Sequence, residues 1–237
     1  MRSFVVALRF LTLFPWPGKP LLSHEIGRSS PFFPVVGFFV GLILVLLNRL
    51  LEPYLESEIL GIVLVAVLVV VTRAQHLQGL KVTFDEISFR VRREGGKSGA
   101  PEVFGFLAVA VAFLLESRAI EVMGEVRSQG LLLAPVLGFW SVVILAYSSP
   151  SKAEQKIAAV LDRVRGVHLF WATAMTLPLV IGFSGGVGLW ITLWVSLLPL
   201  AAGSYLRRRQ GGVTGDSLGA VAELSEALAM VLYASLY

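Results

Sequence analysis

Hydrophobic and polar residues occur in long blocks along this chain, not with the short periods of a soluble helix or strand. A helix crosses a membrane in about 20 residues, with a range of about 17–25. The pattern therefore predicts an all-α fold, a polytopic membrane helix bundle with about seven transmembrane helices. The second and third apolar runs are short, which indicates that protein, not lipid, shelters their ends. The runs are 32–47, 59–72, 103–115, 131–147, 167–183, 187–205 and 218–237.

The segment before the first run has a different pattern. Arg2 and Arg9 fall on one helical face, opposite Phe4 and Leu8, which predicts a helix lying at the membrane interface. In the first run, Gly37 and Gly41 form a pair of small residues four apart, a spacing typical of close helix packing.

Composition agrees with a membrane protein. Hydrophobic residues make up 56% of the 237 positions and charged residues 15%, and the mean hydropathy is +0.78. These values exclude an ordinary soluble domain. No linker long enough to separate a second domain is found, so residues 1–237 are interpreted as a single integral membrane domain. The chain has no cysteine, which excludes disulfides, thiolate metal sites and cysteine nucleophiles.

Lysine and arginine alternate between the segments that connect the runs. They are frequent before the first run and in segments 75–102, 148–166 and 206–217, and absent from 52–58 and 184–186. By the positive-inside rule the basic segments lie in the cytoplasm, which predicts a site facing the cytoplasm from the inner membrane. The net charge of +4 then reflects topology, contact with membrane lipid and anionic substrates, and does not indicate nucleic acid binding.

The most informative polar segment is 211–226, which opens the last apolar run. On a helix that starts near Asp216, the acids Asp216, Glu223 and Glu226 share one face with Gly219 and Ala220. Acids within a span usually face a wet cavity, a metal or a cationic partner. The alternative is that they solvate an exposed helix end.

Segment 75–102 is the second candidate, interpreted as a long polar loop. His76, Asp85, Glu86, Glu94 and Glu102 are possible metal ligands there, and Lys81, Arg90, Arg92, Arg93 and Lys97 are possible phosphate partners. A mixed-charge loop that is merely solvated explains the same residues. Gly95-Gly-Lys-Ser98 lacks the spacing of a phosphate-binding loop, and no strand precedes it.

Four segments together resemble the adenosylcobinamide-GDP ribazoletransferase, or cobalamin synthase, family. The last of them is close to the family pattern G-G-x-T-G-D-T-L-G-A-x-x-E-L-x-E. The third resembles H-L-D-G-L-A-D-T-x-D, but has Gln78 and Val82 where that pattern has its first two aspartates. The segments are Phe10-Leu-Thr-Leu-Phe-Pro-Trp-Pro17, Arg28 to Gly41, His76 to Asp85 and Gly211 to Glu226.

The resemblance implies a membrane transferase of cobalamin (vitamin B12) biosynthesis. Such an enzyme joins GDP-activated adenosylcobinamide to α-ribazole or its phosphate and releases GMP, with Mg²⁺ that here is expected only with substrate bound. Oligomer formation is left open. The residues expected to act are Asp85, Asp216 and His76 in catalysis, Arg28, Lys97, Thr214 and Gly215 in binding, and Asp85, Asp216 and Glu223 as metal ligands.

Departures from the family pattern leave a second interpretation open. Gln78, Val82 and Ser98 stand where carboxylates are expected, and phosphoryl transfer needs carboxylates to hold its metal. The chain is therefore either a divergent transferase or a catalytically inactive homologue that binds a corrinoid or nucleotide in the membrane. A small transporter using Asp216, Glu223 and Glu226 is a third, separate class of function.

Overall fold

The fold is a bundle of helices, seen in a computed structural model that describes residues 2–14, 21–94, 103–149 and 163–236. Two single 3-10 turns, Ser30–Phe32 and Gly124–Val126, connect neighbouring helices. No β-strand is found among the described residues, which confirms the predicted all-α class. The helices are α1 Arg2–Leu11, α2 Ser23–Ser29, α3 Phe33–Leu51, α4 Ser57–Val71, α5 Gln75–Glu94, α6 Val103–Val122, α7 Arg127–Ser148, α8 Gly166–Gln210 and α9 Gly215–Leu236.

Helix α7 is the centre of the bundle, with α3, α8 and α9 packed around it. The predicted close packing at Gly37 and Gly41 is confirmed, because both glycines lie against the backbone of α7. A Cβ atom on Gly37 would lie 2.8 Å from the Cα of Val136, and one on Gly41 would lie 2.8 Å from the carbonyl oxygen of Leu131. No side chain larger than hydrogen fits at these two positions without moving the helices apart.

Helix α8 contains two of the predicted spans. Its 45 residues are interrupted at Gly185, where φ is 55° and ψ is −137°. Gly166 near its start lies against Tyr147, and Gly203 near its end lies against Leu145. Between them, Ser184 accepts a hydrogen bond from the Tyr233 hydroxyl at 3.0 Å, at the opposite end of the bundle. The two halves of α8 therefore run antiparallel, as the runs 167–183 and 187–205 predict.

Five helices in the described residues are long and apolar enough to cross a membrane, or six when the bent pair α4 and α5 is taken as one span. Because α8 turns back at Gly185, it supplies one crossing more than this length criterion gives. The prediction of about seven spans is compatible with this arrangement. The N-terminal helix is also present as α1, whose Val6, Ala7 and Leu11 are buried against the bundle.

The interpretation of 75–102 as a loop is wrong for its first twenty residues, which form α5. Helix α4 ends at the pair Arg73 and Ala74, both of which have positive φ, and α5 leaves at 88° to α4. Leu80 of α5 is fully buried in a small cluster with Ala112 of α6 and Ala220 of α9. This apolar contact stabilises α5 as a packed helix. The polar composition of the segment did not indicate it.

The connecting segments are divided between the two ends of the bundle as the charge alternation predicts. At one end Arg127 donates hydrogen bonds to Glu52 at 3.3 Å and to Ser57 at 3.1 Å. At the other end the start of α9 lies against α5 at Gly79. The two ends are called the Arg127 end and the Asp216 end below. That the Asp216 end faces the cytoplasm stays a prediction.

Candidate functional site

The start of α9 is fixed by a reciprocal cap. Gly211 and Gly212 have φ values of 78° and 147°, which turn the chain sharply between α8 and α9. The Thr214 backbone N–H then donates to Ser217 Oγ at 2.8 Å, and the Ser217 N–H donates to Thr214 Oγ1 at 3.2 Å. Thr214, predicted to bind substrate, is thus a buried helix cap. It places Gly215 and Asp216 in the first turn of α9.

Helices α5 and α9 cross at two glycines. A Cβ on Gly79 would lie 3.0 Å from the Cα of Gly219, and a Cβ on Gly219 would lie 2.9 Å from the carbonyl oxygen of Gln75. Contact this close between backbones is possible only without side chains at both positions. The crossing sets His76 and Gln78 of α5 beside the polar face of α9.

A cavity of about 240 Å³ opens at this crossing. Asp216, half-buried, contributes a carboxylate to its wall. Its volume is below the range of about 300–1,000 Å³ that is usual for sites enclosing a drug-sized ligand. It therefore has room for part of a large substrate. Helices α1, α5, α7 and α9 contribute the lining residues Phe10, Leu11, Gln75, His76, Gln78, Val142, Gly215, Asp216, Leu218 and Gly219.

Deeper along α9 lies a second group of polar side chains. His76, Glu223 and Glu226 each offer a ligand atom, and these atoms lie within 4.8 Å of one another. Exposed fractions are 5% for His76, 5% for Glu223 and 0% for Glu226. Glu116 of α6 is also fully buried and close enough to Glu223 and Glu226 for charge repulsion. These four residues are called the buried acid group below.

Several polar atoms in the buried acid group lack partners in the part of the chain that the structure describes. There, both carboxylate oxygens of Glu116, and both of Glu226, have no hydrogen bond. A buried carboxylate without a partner is costly, because it has lost its water and gained nothing in return. Three carboxylates this close cannot all stay ionised without a cation or shared protons. The group therefore needs either a bound cation or shared protons.

Asp85 lies outside both the cavity lining and the buried acid group. One of its carboxylate oxygens accepts a hydrogen bond from the Gly105 N–H at 2.8 Å, and the other accepts one from Lys81 Nζ at 3.0 Å. These contacts join α5 to α6. Along α9, Asp216 and Glu223 are seven residues apart, which is about 10 Å at 1.5 Å per residue. The structure therefore does not gather Asp85, Asp216 and Glu223 into one metal-binding group.

Of the predicted binding residues that the structure describes, Arg28 does not line the cavity that Gly215 lines. Exposed Arg28 lines a separate cavity of about 240 Å³ with Arg2, His24 and Glu25. Lys97, like Glu102 and Ser98, lies outside the described residues. Of the residues expected to bind substrate, Gly215 lines the cavity beside Asp216.

Sequence reasoning missed Glu116. The apolar run 103–115 stops one residue before it, which predicts that Glu116 lies in a connecting segment. In the structure α6 continues to Val122 and buries Glu116 completely. A signal existed, because an acidic residue in an otherwise apolar helix usually faces the interior of a membrane bundle.

Comparison with known proteins shows which family this chain belongs to. The sequence profile of the family described as Cobalamin-5-phosphate synthase matches residues 3–234. The chain belongs to this family. The profile spans α1 to α9 and so includes both the cavity and the buried acid group.

Curated relatives agree with the family assignment. Adenosylcobinamide-GDP ribazoletransferase from Syntrophobacter fumaroxidans is 33% identical over 99% of this chain and 98% of its own length. The protein of the same name from Geotalea daltonii is 31% identical over 98% of this chain and 96% of its own length. That from Roseiflexus sp. is 32% identical over 94% and 86% respectively. No solved structure matches the fold.

The structure shows where the residues that differ from the cobalamin-5-phosphate synthase family pattern lie. Gln78, which stands where the family pattern has an aspartate, lines the cavity opposite the start of α9. Val82 is half-buried one turn farther along the same face of α5. The wall of the cavity therefore has a neutral amide at the position where the resemblance implies a carboxylate.

Proposed function

We propose that this chain is a membrane transferase that joins GDP-activated adenosylcobinamide to α-ribazole or its phosphate and releases GMP. The observation that carries the proposal is the Asp216 cavity, built from the two segments that resemble the family most closely. Relatives of nearly equal length are named for this activity. The protein spans the membrane, so a transferase here would act at a lipid surface.

In the proposed reaction an oxygen of the ribazole attacks the phosphorus atom bonded to the cobinamide. The new phosphorus–oxygen bond forms as the bond between the two phosphates of the GDP group breaks. The bonding electron pair leaves on the phosphate of GMP, and the attacking hydroxyl loses its proton. The site must therefore hold a diphosphate, accept one proton and leave room for two large substrates.

The first turn of α9 is suited to the diphosphate. Backbone N–H groups in the first turn of a helix have no intrahelical acceptor, and the helix dipole favours an anion there. Gly215 and Asp216 line the cavity at this point, and the glycine allows close approach. Because the cavity holds only about 240 Å³, the diphosphate would enter it while the corrin ring stays outside.

Asp216 is proposed as the group that accepts the proton from the attacking hydroxyl. It is half-buried at the cavity wall and has no hydrogen-bonded cap role, unlike Thr214. His76 lines the same cavity from α5, with its ring edge-on to Phe139 at a centroid distance of 5.1 Å. That packing fixes the imidazole and is consistent with a positioning role in the reaction.

Mg²⁺ is proposed to enter with the substrate. The oxygen donors of the cavity fit it in part, since Asp216 supplies a carboxylate and Gln75 and Gln78 supply amide oxygens. Mg²⁺ commonly takes its remaining ligands from substrate phosphates and water. When bound, such an ion neutralises charge on the diphosphate. Asp85 is proposed to hold α5 against α6, through its contacts with Lys81 and Gly105.

The proposed place of action is the inner membrane, with the cavity open to the cytoplasm. Arg207, Arg208 and Arg209 are exposed where α8 ends, close in sequence to the cavity-lining residues of α9. Basic residues at the end of a span favour the cytoplasmic side and the anionic lipid surface.

Gln78 favours a second candidate function, an inactive homologue that binds a corrinoid or nucleotide without turnover. Loss of a carboxylate from the cavity wall weakens Mg²⁺ binding, because ligand charge sets much of its affinity. The two candidates differ in turnover and not in binding.

The deciding experiment measures GMP released from GDP-activated cobinamide with α-ribazole, using the purified protein in lipid and with Mg²⁺ present. We expect release in the unmodified chain and at least a hundredfold slower release in Asp216→Asn. Glu58→Gln, an exposed carboxylate at the Arg127 end, is the matched control and should keep full activity. No GMP release, together with retained corrinoid binding, would establish the inactive homologue.

A further inference from the structure

The buried acid group brings together side chains from three helices in the interior of the bundle. His76 comes from α5, Glu116 from α6, and Glu223 and Glu226 from α9. Each of the four is at most 5% exposed. Ionised side chains inside a membrane bundle are expensive and usually have a partner.

Two independent observations indicate a cation. First, the ligand atoms of His76, Glu223 and Glu226 lie within 4.8 Å of one another, close enough for small side-chain movements to place all three around one metal ion. Second, Glu116 approaches this trio from a different helix, fully buried, and neither of its oxygens has a hydrogen bond to any residue that the structure describes. Buried carboxylate oxygens without a hydrogen bond need either a cation or a shared proton.

We propose that the buried acid group binds one divalent first-row transition-metal ion, with Mn²⁺ and Zn²⁺ as the best-suited ions. His76, Glu223 and Glu226 are the ligands. Glu116 lies outside this set of ligand atoms and adds a negative charge nearby. The ion ties α5 to α9 below the cavity. It is a resident structural ion, distinct from the Mg²⁺ proposed to enter with substrate, and this inference does not depend on the proposed transferase activity.

The donor set decides the class of metal. Imidazole nitrogen is a poor ligand for Mg²⁺, which prefers oxygen and keeps several waters. A mixed set of one imidazole and carboxylates suits Mn²⁺, Fe²⁺ or Zn²⁺. The group is at most 5% exposed and has little space for bound water. The site therefore favours an ion that accepts nitrogen and gives up its hydration shell.

His76 gives the proposed ion a route from the cavity. His76 belongs both to the cavity lining and to the buried acid group. An ion that reaches the cavity from the Asp216 end meets the imidazole first and the two glutamates behind it. The glycine crossing of α5 and α9 brings His76 to this position.

The first test is metal content. The purified protein, dialysed without chelator and analysed by inductively coupled plasma mass spectrometry, should retain about one equivalent of Mn²⁺ or Zn²⁺ per chain. Glu226→Gln and Glu116→Gln should lower the affinity roughly tenfold or more. Glu121→Gln, on the same helix as Glu116 but ion-paired with Arg118, is the matched control and should keep the ion. Equal affinity for Mg²⁺ and Mn²⁺ would overturn the assignment.

The second test separates a metal ligand from a merely structural side chain. In metal-free protein, Glu226→Gln removes one of three crowded charges, so its thermal unfolding temperature should be equal to or higher than that of the unmodified chain. With Mn²⁺ or Zn²⁺ added, the order should reverse, because only the unmodified site gains the full binding energy. If added metal raises neither unfolding temperature, the carboxylates share protons instead and the proposal is wrong.

Discussion

Gly79 of α5 and Gly219 of α9 meet backbone to backbone, each where a Cβ would come within 3.4 Å of the other's Cα. This contact decides the geometry of the site, because it sets Gln78 and His76 against the face of α9 that carries Asp216 and Glu223. A side chain at either glycine would push α5 outward and open the cavity.

Gly79→Ala should destabilise the protein by about 1–3 kcal/mol, the usual effect of overpacking a close contact. GMP release should fall with it, because the cavity walls separate. The matched control is Gly182→Ala in α8, where a Cβ meets nothing within 4 Å and a helical alanine adds up to about 1 kcal/mol. Thermal unfolding in detergent measures both variants, and equal unfolding temperatures would contradict the close crossing.

Thr214→Ala should lower stability by about 1 kcal/mol, because the Ser217 N–H loses its capping acceptor. Thr214→Ser keeps the oxygen and should restore most of the loss. Unfolding temperature is the readout, with the KM for GDP-activated cobinamide measured in parallel. A raised KM without any change in unfolding temperature would indicate that Thr214 binds the substrate and is not mainly a helix cap.

Arg127→Met should destabilise the Arg127 end by about 2 kcal/mol or more. The buried guanidinium donates hydrogen bonds to the Ile120 carbonyl at 3.0 Å and to Ser57 at 3.1 Å. In the variant, both acceptors would lose these hydrogen bonds. Arg118→Met is the control, since its side chain is 67% exposed and such ion pairs contribute at most about 1 kcal/mol. Denaturant or thermal unfolding distinguishes the two, and equal losses would contradict the burial of Arg127.

Exposed single cysteines test the two ends of the bundle in this cysteine-free chain. Phe89→Cys lies on α5, 51% exposed, and Tyr54→Cys lies beyond α3, 81% exposed. In sealed inverted vesicles, whose cytoplasmic face is outward, an impermeant maleimide should label the cysteine at 89 and spare the one at 54. The reverse pattern would place the Asp216 end outside the cell.

Restoring carboxylates on α5 should strengthen the proposed Mg²⁺ dependence. In a Gln78→Asp, Val82→Asp double variant, two acids one turn apart would face the cavity side of α5. We expect a lower Mg²⁺ concentration for half-maximal GMP release, because added ligand charge raises affinity. Ser88→Asp adds one carboxylate farther along α5 and serves as the control. An unchanged Mg²⁺ requirement in the double variant would indicate that this wall does not contact the ion.

Hydrophobic pattern alone determined the class of this protein and most of its spans. Long apolar runs cannot be solvated by water, and a backbone in lipid must satisfy its own hydrogen bonds, so the runs have no alternative to membrane helices. Charge alternation likewise assigned the connecting segments to two ends, as the contacts of Arg127 with Glu52 and of Gly79 with α9 bear out. Residue spacing put Asp216 and Glu223 on one face of α9.

Tertiary structure alone decided which acids stand together. Segment 75–102 has a polar composition, and packing of Leu80 against Ala112 and Ala220 holds its first part in the bundle as a helix. Glu116 lies over a hundred residues from Glu223 in sequence, so no local pattern could join them. Side chains from different helices meet only where the helices cross. The crossing depends on backbone contacts such as that of Gly79 with Gly219. Residue spacing along a single helix does not predict such contacts.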